Sequence, residues 1–466
     1  MAGLKETIYS KLPYPFKFVL LNIKGYLNTR QRYNKEFEKF FEEHNTLWNS
    51  DIETVLQFQK KRLIILLSEA CKYSQWYGSI MKDLGIKIQD IKQDPFLVLK
   101  KMPILEKTER TNHVDSIVNT SRETAVVGHT SGTTGTPTID YIDVESINIS
   151  FAIWKRFHQT IGVRPQDKQV RFSGRFIVEA NTKKPPFWVY NYSEKQLFMS
   201  TYHLTYNNLI HYVNRLIKFK PELMDGYPSA FYILSKYIND NNIILNFSPK
   251  AIVVTAETLY DYQRFEIEKA FNCHVYNQYA SHEGSPFITE CVKGNLHLNI
   301  DSGVFEFMNL KGKIAKPGEI AKLIVTSFIN YKTPLIRYSI EDMVLLSKEN
   351  ESCDCGCEMP IIEKIIGRED DLLWTKEKGF VVRLSTAFKG IVGIDKAQVV
   401  QETPGIVNIN LMTNNNFNKK MEALLIGKMK DRLGENISYK INFVDDIPLG
   451  PNGKFDSVKR NFKLDF

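Results

Sequence analysis

At 466 residues the chain exceeds what a single hydrophobic core normally supports, and its 43% hydrophobic content predicts a globular protein of two or more domains. Aromatic residues at 12% exclude a disordered chain, and no fixed-period repeat or low-complexity tract interrupts it. The formal charge of +8 comes from 61 Lys and Arg interspersed with 53 Asp and Glu, which points to no nucleic-acid partner.

The N-terminus carries one apolar run, Phe16 to Ile23, far shorter than the ~20 residues needed to span a bilayer. Lys24, Arg30, Arg32 and Lys35 follow it. The run either packs against the main domain, the favoured reading, or lies peripherally on an anionic inner membrane face. No secretory signal is recognisable, so the six cysteines (Cys71, Cys273, Cys291, Cys353, Cys355 and Cys357) suit a reduced, cytoplasmic setting. Cys71 and Cys273 read as small core residues.

From Ile52 to about Lys82 apolar residues recur at helical spacing and predict one amphipathic helix. A loop-rich stretch around Pro95, Pro103 and Glu106 follows, then a strand over Thr124 to Gly128. Farther on, the strand Ala251 to Thr255 and the helix Tyr260 to Phe271 form an alternation that argues for α/β layers. Val304 to Val344 reads as a β-rich subdomain. From about Leu372 a smaller module begins, with strands at 396–401, 406–412 and 441–444 and a Lys-rich helix from Lys419 to Leu433. The expected class is α/β, with a large domain of several subdomains over 1–369 and a small α+β domain over 370–466.

His129-Thr-Ser-Gly-Thr-Thr-Gly-Thr-Pro137 places glycines and hydroxyls directly after a strand. Glycines admit phosphate oxygens close to the backbone, and Thr130, Ser131, Thr133 and Thr134 add donors around the charge, with Gly132 and Gly135 between them. The G-K-[ST] ending of a Walker loop is absent.

This run resembles the phosphate-binding signature of the acyl-adenylate-forming superfamily, which includes acyl-CoA synthetases and luciferases. Four further elements follow in the order such a chain requires. Asn277-Gln-Tyr-Ala-Ser-His-Glu-Gly284 resembles the segment that borders adenine (Asn277, Gln278, Tyr279, Ala280, Ser281) and ends in a Mg²⁺-binding glutamate, here Glu283. Ala280 stands where glycine is usual. Thr333-Pro-Leu-Ile-Arg-Tyr-Ser-Ile-Glu-Asp342 resembles P-L-I-R-Y-R-T-G-D, whose final aspartate, here Asp342, holds the ribose hydroxyls; Ser339, Ile340 and Glu341 replace R-T-G. Gly367-Arg-Glu-Asp-Asp371 resembles the hinge, with Arg368 toward the nucleotide and Asp370 as the pivot of a mobile C-terminal domain. Pro448-Leu-Gly-Pro-Asn-Gly-Lys454 resembles the C-terminal loop whose lysine reaches the α-phosphate and the carboxylate.

End to end, the chain is similar to phenylacetate-CoA ligase relatives, in particular the capsule-biosynthesis CapK type, through Leu12-Pro, Lys24-Gly-Tyr26, Asp225-Gly-Tyr-Pro-Ser229, Thr255-Ala-Glu257, Lys389-Gly390 and Ala397-Gln-Val-Val-Gln401. The resemblance adds Ala256 and Glu257 to the ATP site. It implies ATP and Mg²⁺ as cofactors, and a carboxylic acid converted to acyl-AMP. The acyl group then passes to an amine or hydroxyl on a sugar nucleotide or carrier-bound glycan in surface polysaccharide synthesis, or to coenzyme A. A non-catalytic nucleotide-binding scaffold is the rival from another class; the joint retention of Glu283, Asp342, Arg368 and Lys454 argues against it. His129 and His282 flank the phosphate and Mg²⁺ elements, where either orients the carboxylate or holds a fixed hydrogen bond. The acyl pocket is expected from Arg171-Phe-Ser-Gly-Arg175, Tyr227 and the Ala256 to Thr258 turn.

Cys353-Asp-Cys-Gly-Cys357 clusters three thiols, with Cys291 and His297 upstream, a donor set suited to tetrahedral Zn²⁺. Some phenylacetate-CoA ligase relatives resemble this, which favours Cys291, His297, Cys353 and Cys355 as structural ligands.

Overall fold

The computed structural model describes residues 12–129, 138–174, 177–179, 181–281, 287–348, 352–368, 372–377, 379–381, 384–388, 390–449 and 455–462. The first part is helical: Tyr14–Arg32, Lys35–Trp48, Ile52–Tyr73 and Gln75–Asp83. The single helix expected over 52–82 is two, because Ser74 leaves helical geometry and its Oγ accepts from Tyr77 N (3.3 Å), capping the second. The stretch around Pro95, Pro103 and Glu106, expected as loop, contains the short helices Pro95–Lys101 and Lys107–Asn112. Pro95 occupies the first helical position, where its missing N–H costs nothing, and Asp94 caps Leu97 N at 3.0 Å.

Twelve described strands form one sheet. Its centre is parallel, in the order Gln196–Ser200, Gln169–Ser173, Leu223–Gly226, Ala251–Val254 and Val275–Tyr279. Trp188–Asn191 closes one edge antiparallel. Beyond Tyr279 the sheet turns antiparallel through Ile288–Glu290, Leu296–Leu298, Ile361–Arg368, Tyr338–Leu346, Ile320–Ser327 and Gly303–Asn309, the β-rich part expected from sequence.

The central strands are apolar on both faces, as a parallel sheet requires. Met224, Ile252 and Val254 pack under the helices Tyr206–Phe219, Pro228–Asp240 and Asp261–Phe271, while Leu223, Ala251 and Val253 pack against Phe157 and Ile161 at the end of the helix Val144–Thr160. The alternation follows the two-residue period of a strand. The class is therefore the α/β one read from the sequence.

The C-terminal part has its own core. Four strands in the order Ser438–Phe443, Ile406–Thr413, Ile394–Thr403 and Val458–Arg460 carry the helix Lys419–Leu433, with Val407, Ile409, Leu411, Leu425, Met429 and Leu433 buried between them. No helix among the described residues is long and apolar enough to cross a membrane.

Candidate functional site

The parallel strands end side by side at Ser173, Gly226, Val254 and Tyr279, and in open parallel sheets ligands bind in the crevice beyond those ends. Close packing there is enforced by Gly226 (φ 147°), whose missing Cβ would lie 2.1 Å from Phe172 O. Thr255 N donates to Gly226 O (3.0 Å), and Ala256 then takes φ 68°, a left-handed geometry that costs a Cβ-bearing residue about 1 kcal/mol. The turn aims Glu257 two ways. Its Oε2 accepts from Ser229 N (3.1 Å) in the first turn of the Pro228–Asp240 helix, and its Oε1 accepts from Phe455 N (2.8 Å). Phe455 is the residue after Lys454. Two residues on, Ser457 Oγ is hydrogen-bonded to Tyr260 OH.

Three elements far apart in sequence meet at the neighbouring strand end. Tyr279 OH donates to Asp342 Oδ2, and Asp342 stands opposite Arg368 in the pairing of their strands. Glu341, where the resembling families carry glycine, keeps a glycine-like φ of 64° and pairs with Lys107 (2.8 Å). The substitution thus preserves the local backbone form. Asn277 N donates to Glu290 Oε2 (2.7 Å). Gln278 alternates to the face opposite Asn277 and Tyr279, where it is buried and its side-chain amide has no hydrogen-bond partner among the described residues. Ala280 packs beside the cluster of Phe37, Ile149 and Phe287.

Thr130, Ser131, Gly132, Thr133, Thr134, Gly135, His282, Glu283, Asp370 and Lys454 lie outside the described residues, as do the side chains of His129 and Arg368. The base of the phosphate run is described: Val126–His129 and Ile139–Ile142 form an antiparallel hairpin whose connection is that run. Thr333 Oγ1 accepts from Tyr141 N (3.1 Å) and donates to Tyr141 O (2.9 Å), so this hairpin is fastened to the element that carries Asp342. Arg110, fully buried over the Tyr338 ring, pairs with Asp140 on the same hairpin.

On the expected acyl side, Arg171 Nε donates to both carboxylate oxygens of Asp225 (2.9 and 2.8 Å), joining neighbouring strands. Tyr202 OH donates to Gly174 O (2.9 Å). Sequence reasoning missed His158. Burial pushes it down to about 4, with Asp225 opposing and Arg171 reinforcing the shift, and its Nε2 has no hydrogen-bond partner among the described residues. Trp154 meets it edge-on at 5.7 Å. The signal was weak, because a histidine one turn after a tryptophan reads as ordinary helix packing.

Away from the crevice, Cys291, His297, Cys353 and Cys355 bring four donor atoms within 4.8 Å of one another. The Cys291–Cys353 sulfurs are 3.6 Å apart and Cys355 Sγ is 3.4 Å from His297 Nε2. Tetrahedral Zn²⁺ with bonds of about 2.3 Å to sulfur and about 2.0 Å to nitrogen sets these spacings at about 3.8 and 3.5 Å. His297 Nδ1 donates to Met359 O (2.9 Å), which leaves Nε2 as the ligand atom. Asn295 Nδ2 donates to Cys353 Sγ (3.1 Å), and although burial opposes ionisation the Cys353 thiol is drawn down to about 6. Cys357 is buried outside this set of four. The residues fit the metal that the sequence suggested.

The family model of the CapK C-terminal domain matches residues 373–461. Protein CapK of Staphylococcus aureus is 36% identical over 461 residues, covering 98% of this chain and 99% of that protein. Among solved structures, 2-hydroxyisobutyryl-CoA ligase in its postadenylation state, in complex with R3-HIB-AMP, is similar with a TM-score of 0.67 at 17% identity, over 86% of this chain and 88% of that one. The same ligase with 2-HIB-AMP and CoA in its thioesterification state gives 0.55 at 17% identity, over 88% and 91%. An anthranilate CoA ligase in complex with anthranoyl-AMP follows at 0.51 and 13% identity, over 72% and 65%. The chain belongs to the family of the staphylococcal protein CapK, and its fold is that of the acyl-adenylate-forming ligases.

Proposed function

We propose that the chain activates a carboxylic acid with ATP and passes the acyl group to an amine or hydroxyl of a surface-polysaccharide precursor. The observation that supports the adenylation half of this reading is the Tyr279–Asp342 hydrogen bond with the Asp342–Arg368 pairing, beside a strand end where Glu257 accepts from Phe455, the residue after Lys454. In the first step a carboxylate oxygen attacks the α-phosphorus and the bond to pyrophosphate breaks, leaving acyl-AMP. Asp342 accepts from the ribose hydroxyls, taking over from Tyr279 OH, and the 130–135 run donates to the phosphates. Lys454 offsets the charge that accumulates at the α-phosphate. Glu283 would hold Mg²⁺, which screens the triphosphate. In the second step the acceptor nucleophile attacks the acyl carbonyl, AMP leaves and the nucleophile loses its proton. The domain from residue 370 turns about Asp370 between the steps.

Transfer to coenzyme A is the second reading, supported by the likeness to CoA ligases. Cys291, His297, Cys353 and Cys355 would hold one structural Zn²⁺ that ties the Ile288–Leu298 hairpin to the 353–357 loop. Pyrophosphate release from Mg·ATP, measured across aryl, fatty, hydroxy and amino acids with and without coenzyme A, tests the proposal. Acid-dependent release supports adenylation, stimulation by coenzyme A moves the acceptor to a thiol, and no release with any acid, even with sugar-nucleotide acceptors added, sinks the catalytic reading in favour of a nucleotide-binding scaffold.

A further inference from the structure

The Tyr14–Arg32 helix is apolar on two opposite sides. At 100° per residue, Phe18, Leu21, Gly25 and Thr29 share one side. That side faces the edge strand Trp188–Asn191: Phe18 and Leu21 join the cluster of Ile177, Val178, Val189 and Phe198, Gly25 abuts the Asn191 side chain, and Asn22 Nδ2 donates to Tyr190 O (2.9 Å). Phe16, Val19, Leu20, Ile23, Tyr26 and Leu27 share the other side, in an arc of roughly 120°. All six are exposed, Phe16 by 61%, Ile23 by 53% and Leu27 by 60%. The sequence reading offered packing or membrane contact as alternatives; the structure gives the helix a face for each.

We infer that this outer face docks on the surface of an anionic lipid bilayer, in the plane of the interface. Charge selects that occupant. The helix contains Lys17, Lys24, Arg30 and Arg32 and no acidic residue. Lys24 and Arg30, both exposed, stand at the margin and the end of the apolar arc, where they meet lipid phosphates as the arc enters the acyl boundary. The Arg30 guanidinium lies 5.5 Å from the Tyr26 ring centre, a pairing of ring and cation suited to the headgroup layer. Tyr192, exposed at the turn after the edge strand and bonded through its N–H to Asn22 Oδ1 (2.9 Å), adds a second ring beside the helix. Six apolar side chains without a cationic border would suit a protein partner equally; the one-signed border favours anionic lipid. The inference does not depend on the proposed chemistry.

Sedimentation of the full chain with phosphatidylglycerol-containing vesicles, against phosphatidylcholine vesicles, tests it. The wild type should pellet with the anionic vesicles only. K24E/R30E should weaken partitioning roughly thirtyfold or more, taking each cation as about 1 kcal/mol near the surface. L20S/I23S/L27S should abolish pelleting with an unchanged thermal melt, because those side chains are already in water. Absence of pelleting by the wild type, or pelleting indifferent to the serine substitutions, overturns the inference. So does a wild-type dimer that the serine substitutions convert to monomer without any lipid binding, which would assign the face to a second copy.

Discussion

The crevice and the Cys/His cluster are built on opposite principles. At the crevice, groups from distant parts of the chain satisfy one another by hydrogen bonds that a ligand can replace: Tyr279 OH occupies Asp342, and Phe455 N occupies Glu257. At the cluster, four donors from two short segments stand at fixed spacing, with His297 Nδ1 already tied to Met359 O and Cys353 Sγ already accepting from Asn295. On the proposed function, one region would exchange partners and the other would keep them. Substitutions should therefore affect turnover in the first and integrity in the second.

The largest expected effect tests the crevice. Lys454→Ala should lower acid-dependent pyrophosphate release by about 10²–10³-fold, about 3–4 kcal/mol of transition-state stabilisation, with an unchanged melting temperature. A variant that still adenylates at the wild-type rate removes the lysine from the mechanism. His297→Ala tests the other side of the contrast: zinc measured by plasma mass spectrometry should fall from one equivalent to none, and stability should fall by about 3 kcal/mol in urea melts. If zinc is absent from wild type purified without chelator, the cluster is four reduced side chains and the contrast collapses.

Glu257→Ala should lower adenylation about tenfold, through loss of a group that accepts from both Ser229 and Phe455, while Glu257→Gln, which keeps one acceptor, should recover part of the rate. Hydrogen exchange at Phe455 N should quicken in the alanine variant; unchanged exchange would show that the contact does not hold the segment. The last effect is on acid stability and vanishes at neutral pH. His158 sits at about 4 in the folded chain and at about 6.5 when unfolded, so between those values the unfolded chain binds more protons. Stability from this group is complete above about pH 6.5 and declines as pH falls toward 4, by at most about 1.4 kcal/mol per unit. His158→Phe should flatten that slope in melts recorded from pH 4 to 7; an unaltered slope would mean the group is not held neutral.

How much was legible in advance follows the same division. The meeting of Tyr279 with Asp342 and the gathering of Cys353 and Cys355 with Cys291 and His297 could be anticipated because each lies in a run whose residue types are telling side by side. The parallel centre was legible because strands buried on both faces read as continuous apolar runs, as at Ala251 to Val254. What depends on pairing was not legible. Nothing local places His158 near Arg171 and Asp225, or shows that Ala256, and Glu341 in place of glycine, would accept left-handed backbone. The break at Ser74 was missed because the apolar period runs on across it, and the helix begun by Pro95 because proline was weighed as an interruption, not as a start.

The two hydrogen bonds that Glu257 and Tyr260 make to the 455–457 segment set an energy scale for the seam between the large sheet and the C-terminal core. At about 1 kcal/mol net each, they favour the observed arrangement by only about thirtyfold. A latch that light leaves a few per cent of molecules ajar at equilibrium from these bonds alone. On the proposed mechanism, release of pyrophosphate would remove charge from the crevice, and these two bonds would add only a small bias for the C-terminal part to reverse as the acceptor enters.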